Sequence, residues 1–181
     1  MLNGLGKLNK AVSALLKSFG IKRAFADEEF VYYYPDKDAN REDRKKLPAI
    51  SFSIVESDFD TFILQFVEEQ FNYTCINAFM LSLLHEVGHH KTFQDISQEE
   101  STYCDDMKVI INNKIEALDN PNFEDLKPLR VEYLLLPDEY KATEWAVNYI
   151  KENEKQVVEM WNKIENALFD FYAKNLDNLT N

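Results

Sequence analysis

The run Leu83-Leu84-His85-Glu86-Val87-Gly88-His89-His90 closes an apolar stretch that begins at Ala78, and it restricts this chain more than any other segment. On an α-helix, side chains four residues apart lie on one face, so His85 and His89 can aim imidazole nitrogens at one point. Glu86 stands about 100° round the helix from His85, in reach of a water at that point rather than of the point itself. Two histidines on zinc, with a carboxylate beside the open coordination position, are what metal-assisted hydrolysis requires. Zinc lowers the pKa of its bound water to about 7, and the carboxylate takes the proton. The apolar residues before His85 place the pair at the end of a buried helix. Gly88 costs that helix up to about 1 kcal/mol relative to alanine, so it calls for close approach by another backbone or by a substrate.

A catalytic zinc site takes three protein ligands. The chain has 3 histidines, and His90 points about 100° away from His89, so the third ligand must be Glu, Asp or Cys. The segment Leu136 to Ile150 reads as a helix opened by Pro137, and it carries three carboxylates, Asp138, Glu139 and Glu144. With Glu139 set at 0°, Ala142, Trp145, Ala146, Tyr149 and Ile150 fall between about −120° and +20°. Glu139 therefore faces a core, where an uncompensated carboxylate is costly, and it is the better ligand. Glu144 falls near 140°, beside Lys141, Asn148 and Lys151, where a charge is solvated. It and Asp138 remain the alternatives. An oxyanion stabiliser is sought among the tyrosines nearest this segment, Tyr133, Tyr140 and Tyr149.

The other elements follow from local patterns. Leu5, Leu8, Val12, Leu15, Leu16 and Phe19 describe an amphipathic helix ended by Gly20. Ala24-Phe25-Ala26 has the small residues of a cleavage site, but the apolar core before it, Ala11 to Leu16, is too short for a secretory signal. Glu29 to Pro35 is β-prone, the charged stretch Asp36 to Lys46 reads as a solvated loop, and Ala49 to Val55 alternates like a strand with one polar face. That strand is a candidate edge on which a substrate chain could add. Thr61 to Phe66 reads as a further strand in preference to the start of a helix. Ser97-Gln98-Glu99-Glu100 is a capping box that opens a helix to about Leu118; Cys104-Asp105-Asp106 within it are ligand types, but its charged residues read as a solvated face. Asn122 to Leu129 reads as loop with room for a short turn. A last helix buries Val157, Val158, Trp161, Ile164, Leu168 and Phe171 and frays after Lys174.

Composition limits the function. At 181 residues, with 45% hydrophobic residues, one domain is the default. Net charge is −12, which excludes nucleic acid as the substrate, since phosphate binding needs a basic surface. Lys7, Lys10, Lys17, Lys22 and Arg23 form a basic arm with no acid among the first 23 residues. The expected organisation is this amphipathic arm over residues 1–26 and one domain over residues 27–181. Cys75 and Cys104 make neither a zinc ribbon nor a disulfide framework, which fits a reduced, cytoplasmic setting. No apolar run has the length of a membrane span.

The pair His85-Glu86-x-x-His89 and, some fifty residues on, Glu139-x-x-Ala142-x-x-Trp145-Ala146 together resemble the ImmA/IrrE type of gluzincin metallopeptidase, over roughly residues 30 to 150. The chain departs from that pattern at Thr143, where Asn or Asp is usual, and at Trp145, where Phe is. The resemblance implies one Zn2+ held by His85, His89 and Glu139, with Glu86 as base. It also implies a protein substrate inside the cell, often a repressor or other regulator in phages and mobile elements. The expected fold is α+β and zincin-like, with a short, mostly antiparallel sheet against the helix of His85 and His89 and several further helices. The expected activity is peptide-bond hydrolysis; the alternative is a zincin fold kept as a binding or regulatory module with little turnover.

Overall fold

In the computed structural model, residues 5–27, 32–35, 47–53, 58–74 and 77–179 are described. The charged stretch Asp36 to Lys46 and Cys75 lie outside them. Seven α-helices and a three-stranded sheet occur among the described residues, an α+β arrangement in which helix predominates. None of these helices is long and apolar enough to cross a membrane. The chain divides into two compact units, Met1–Val55 with Glu152–Asn181, and Glu56–Lys151.

The first unit holds α1 (Leu5–Leu16), β1 (Arg23–Asp27), β2 (Tyr32–Tyr34), β3 (Ala49–Ser53) and α7 (Glu154–Leu179). Leu8, Val12 and Leu16 recur every fourth residue and are buried on one side of α1. The helix ends through a short 3-10 turn at Gly20, whose φ of 93° is open to glycine at little cost. The segment read as an N-terminal arm thus supplies α1 and most of β1. On α7, Val157, Met160, Ile164, Leu168 and Phe171 form the buried stripe, while Val158 is exposed. The helix continues to Leu179 instead of fraying after Lys174, and Asn175 within that last stretch is buried.

The sheet corrects the expectation of mostly antiparallel pairing. Its order is β1-β3-β2; β1 pairs with β3 in parallel from Arg23↔Ala49 to Asp27↔Ser53, and only the shorter β2 is antiparallel. The cause is β1, which sequence reading did not recognise as a strand. Side chains of α1 satisfy its outward N–H groups: Ala24 donates to Ser13 Oγ at 2.7 Å and Ala26 to Asn9 Oδ1 at 2.8 Å. β3 is consequently central, not a free edge, and all five of its residues are buried, including Ser51 and Ser53, for which the alternation predicts a polar face. The sheet belongs to this unit, whereas the helix of His85 and His89 belongs to the other.

The second unit is helical: α2 (Asp58–Phe71), α3 (Ala78–Thr92), α4 (Gln98–Glu116), α5 (Phe123–Leu134) and α6 (Pro137–Glu152, but for its last residue). The expected strand at Thr61 to Phe66 is therefore a helix. Phe62, Ile63, Phe66 and Val67 are buried at helical spacing, so packing overrides their β preference. Ser82 of α3 donates to Asp60 of α2 in a buried bond of 2.5 Å. α3 starts at Asn77, whose Oδ1 accepts from the Met80 N–H at 2.8 Å. α4 opens on the expected Ser97/Glu100 capping box. Asn122 to Leu129, expected as loop, is instead the N-cap and body of α5, opened by a second capping box of Asn122 and Asp125 that outweighs the interior Pro128. Cys104, Ile111 and Leu136 form a buried cluster joined by Met107, Ile115, Leu129 and Tyr133, which ties α4 and α5 to the start of α6.

Candidate metal centre

The site is built where α3 meets α6. A Cβ added to Gly88 would lie 2.9 Å from both the carbonyl carbon and the Cα of Ala142 and nearer still to its oxygen, so only glycine permits this approach. Close backbone approach, one of the two reasons expected for Gly88, is thus what the structure has. Ala142 and Ala146 present the small side chains on α6 that match it, and both are fully buried. His85 precedes Gly88 by three residues and Glu139 precedes Ala142 by three, so the crossing sets a histidine and a carboxylate against each other.

Three atoms converge there. His85 Nε2 is 3.0 Å from Glu139 Oε2 and 3.1 Å from His89 Nε2, and His89 Nε2 is 3.4 Å from Glu139 Oε2. Ligands at about 2.0–2.1 Å from one tetrahedral ion stand about 3.3 Å apart, so the triangle has the size of one face of a zinc polyhedron. The same three residues are a grouping of His, Cys, Asp and Glu among the described residues that could hold a metal ion. Glu139 is 3% exposed and His85 1%, while His89 is partly open, so access to the triangle lies on the side of His89. Glu86, next to His85 on α3, is also buried.

Thr143 fixes the chemistry of His85. Its hydroxyl donates to the Glu139 carbonyl one turn back at 2.8 Å, which leaves the oxygen as acceptor for His85 Nδ1 at 3.0 Å. The His85 proton therefore sits on Nδ1, and Nε2 turns a lone pair toward His89 and Glu139. With lone pairs and a carboxylate oxygen facing one another, the donor set suits a cation. When protons rather than a cation sit on the two Nε2 atoms, burial still opposes ionisation of Glu139, but the charge of His89 and hydrogen bonds from both histidines outweigh it and hold the carboxyl well below the ordinary carboxylate range.

The remaining candidates separate cleanly. Asp138 is directed to Lys108, with Oδ2 at 2.5 Å from its Nζ, and its Oδ1 accepts from the Glu139 N–H at 2.9 Å. Glu144 is exposed and lines an open groove with Thr92, Asp95, Lys141, Trp145 and Asn148. Tyr140 packs its ring against Phe66 and Phe71, and Tyr149 stacks on Trp145 with ring centroids 5.1 Å apart. Of the three tyrosines, Tyr133 shares the electrostatics of the site. Burial, followed by the charges of Glu139 and, further down, Glu86, pushes its phenol far up, so it stays a proton donor.

Sequence reading missed Lys108. Its Nζ is 2.5 Å from Glu139 Oε1 and lies 5.6 Å from the centre of the Tyr133 ring. Burial disfavours its charge, but the carboxylates of Glu139 and Asp138 overcome this and raise its pKa. The available signal was its position in the stripe Cys104, Met107, Lys108, Ile111, Ile115 of α4, where a cation must have a partner.

No protein-family profile matches the sequence, and neither a curated protein nor a solved structure is detectably similar to the chain.

Proposed function

We propose that this chain is a zinc-dependent endopeptidase of zincin fold and gluzincin type, with His85, His89 and Glu139 as ligands and a regulatory protein of the same cell as substrate. The observation that carries the reading is the triangle of His85 Nε2, His89 Nε2 and Glu139 Oε2, with sides of 3.0, 3.1 and 3.4 Å, adjoining a buried Glu86. The resemblance of the two motifs to the ImmA/IrrE type supports the same assignment.

When bound, zinc polarises the scissile carbonyl and makes a water acidic enough to be deprotonated near neutral pH. Glu86 accepts that proton as the water oxygen attacks the carbonyl carbon, then delivers it to the leaving nitrogen, so the products are a new carboxylate and a new amine. The Tyr133 phenol donates to the carbonyl oxygen as its negative charge grows. Thr143 keeps the His85 tautomer constant through the cycle.

The test is Glu86→Gln. Zinc measured by elemental analysis is expected at one ion per chain in wild type and variant alike. Newly formed N-termini in the proteome of cells expressing the wild type are expected to be absent from cells expressing the variant. Equal N-termini in both, or substoichiometric zinc in the wild type, would refute the assignment.

A further inference from the structure

The two carboxylate oxygens of Glu139 have different neighbours. Oε2 belongs to the triangle with His85 and His89, whereas Oε1 is 2.5 Å from Lys108 Nζ. Lys108 comes from α4, a helix that carries no part of the His-Glu-x-x-His motif, and it occupies a core-facing position there with its side chain 22% exposed. Its ammonium is aimed from behind: Asp138 Oδ2 holds it at 2.5 Å, and Asp138 Oδ1 is fixed by the Glu139 N–H at 2.9 Å. The Tyr133 ring lies 5.6 Å to one side, and the cluster of Cys104, Ile111 and Leu136 anchors α4 and the start of α6 around it. An ammonium has three donors and no lone pair, so it can occupy a carboxylate oxygen but cannot itself bind a metal.

A glutamate on a metal can use one oxygen or both, and the choice sets how many positions remain for water and substrate. We propose that Lys108 is a positioning residue that occupies Oε1 of Glu139, so that the third ligand offers only Oε2 and the coordination number stays low. Asp138 is the counter-ion that holds Lys108 in place rather than a substitute ligand. This inference rests on the metal reading of His85, His89 and Glu139. It goes beyond it in giving α4 a direct part in the site. Were Lys108 there only to neutralise a buried carboxylate, its loss would lower stability and leave the coordination of a bound ion as it was.

The experiment uses the full chain loaded with Co2+, whose visible absorption is intense when four-coordinate and weak when five- or six-coordinate. Wild type and Lys108→Arg are expected to share the intense band, because arginine keeps a cationic donor at Oε1. Lys108→Met is expected to lose much of that intensity as the second oxygen joins the ion. A Lys108→Met spectrum identical to wild type overturns the proposal while leaving the metal reading intact. Failure of the wild type to bind Co2+ at one per chain overturns the metal reading itself, and this inference with it. Should Lys108→Met not fold, X-ray absorption at the zinc edge of the wild-type protein decides. One carboxylate oxygen at bonding distance supports the role of Lys108, and two overturn it.

Discussion

His85 and Thr143 are joined through a hydroxyl that has already given its proton away: His85 Nδ1 stands 3.0 Å from Thr143 Oγ1, which donates at 2.8 Å to the Glu139 carbonyl. Valine has nearly the same shape as threonine but offers no acceptor. In Thr143→Val the His85 N–H loses this buried acceptor, at a cost of about 1–3 kcal/mol. Loss of such an outer partner typically weakens metal binding by about 10–100-fold. Competition against a chromophoric zinc chelator reads this directly. Thr143→Ser is expected to bind zinc nearly as the wild type does, and a Val variant that did so as well would remove Thr143 from the site.

Gly88 and Gly6, each within a helix, should respond in opposite ways to the same substitution. Gly88→Ala forces a methyl into the backbone of Ala142 and is expected to cost about 1–3 kcal/mol, with a fall in zinc affinity because Glu139 rides on the displaced helix. For a chain of this size the melting temperature drops by roughly 2–4 °C per kcal/mol. Gly6 has nothing within 4 Å of its added Cβ, so Gly6→Ala should melt at or above the wild-type temperature. Equal melting temperatures for the two variants would contradict the close approach at Gly88.

Glu139 and Glu144 share a helix but not an environment, being buried and exposed respectively. Glu139→Ala should abolish stoichiometric zinc, while Glu144→Ala should retain it. Elemental analysis after exhaustive dialysis separates the outcomes.

Acid should find the metal-free protein through Glu139. Its carboxyl titrates below the ordinary range in the folded chain, because His89 and the bonds from both histidines overcome the burial that opposes its charge. A depressed folded pKa contributes stability above the unfolded value, about 4.3, and that contribution is lost as pH falls toward the folded one. Denaturant unfolding in steps below about pH 4 should show this loss in the wild type. Glu139→Gln should flatten the slope in that window; an unchanged slope would mean that the carboxylate contributes nothing there.

Tyr133→Phe is expected to reduce cleavage of any substrate found by the comparison of N-termini by about 10²-fold, the usual loss for one oxyanion donor. Tyr140→Phe and Tyr149→Phe, whose rings pack against aromatic neighbours, should leave the rate near that of the wild type.

What the sequence revealed depended on how far each interaction reaches along the chain. His85, Glu86 and His89 are legible because a helix turns four-residue spacing into proximity, and Glu139 because its phase puts a carboxylate among apolar neighbours. The Ser97 and Gly20 signals were likewise local. Thr61 to Phe66 misled because Phe, Ile and Thr favour strands while their burial follows a helical period, and the decision rests with what packs on them. Pro128 masked the Asn122/Asp125 capping box that starts α5. β1 escaped notice since its partners are a strand that follows much later and two polar side chains of α1, none of them marked by periodicity. Lys108 was visible as a cation in an apolar stripe, but its partners Asp138 and Glu139 lie about thirty residues on, in another helix.

Asn9 and Ser13 also bear on how the molecule keeps to itself. An exposed strand edge is a template on which a second chain can lengthen the sheet, and repeated pairing of that kind leads to aggregation. At β1 the outward N–H groups of Ala24 and Ala26 are already spent on two side chains of the preceding helix, one turn apart. α1 thus acts as a molecular end-stop, terminating sheet growth on that side with two polar atoms in place of another strand.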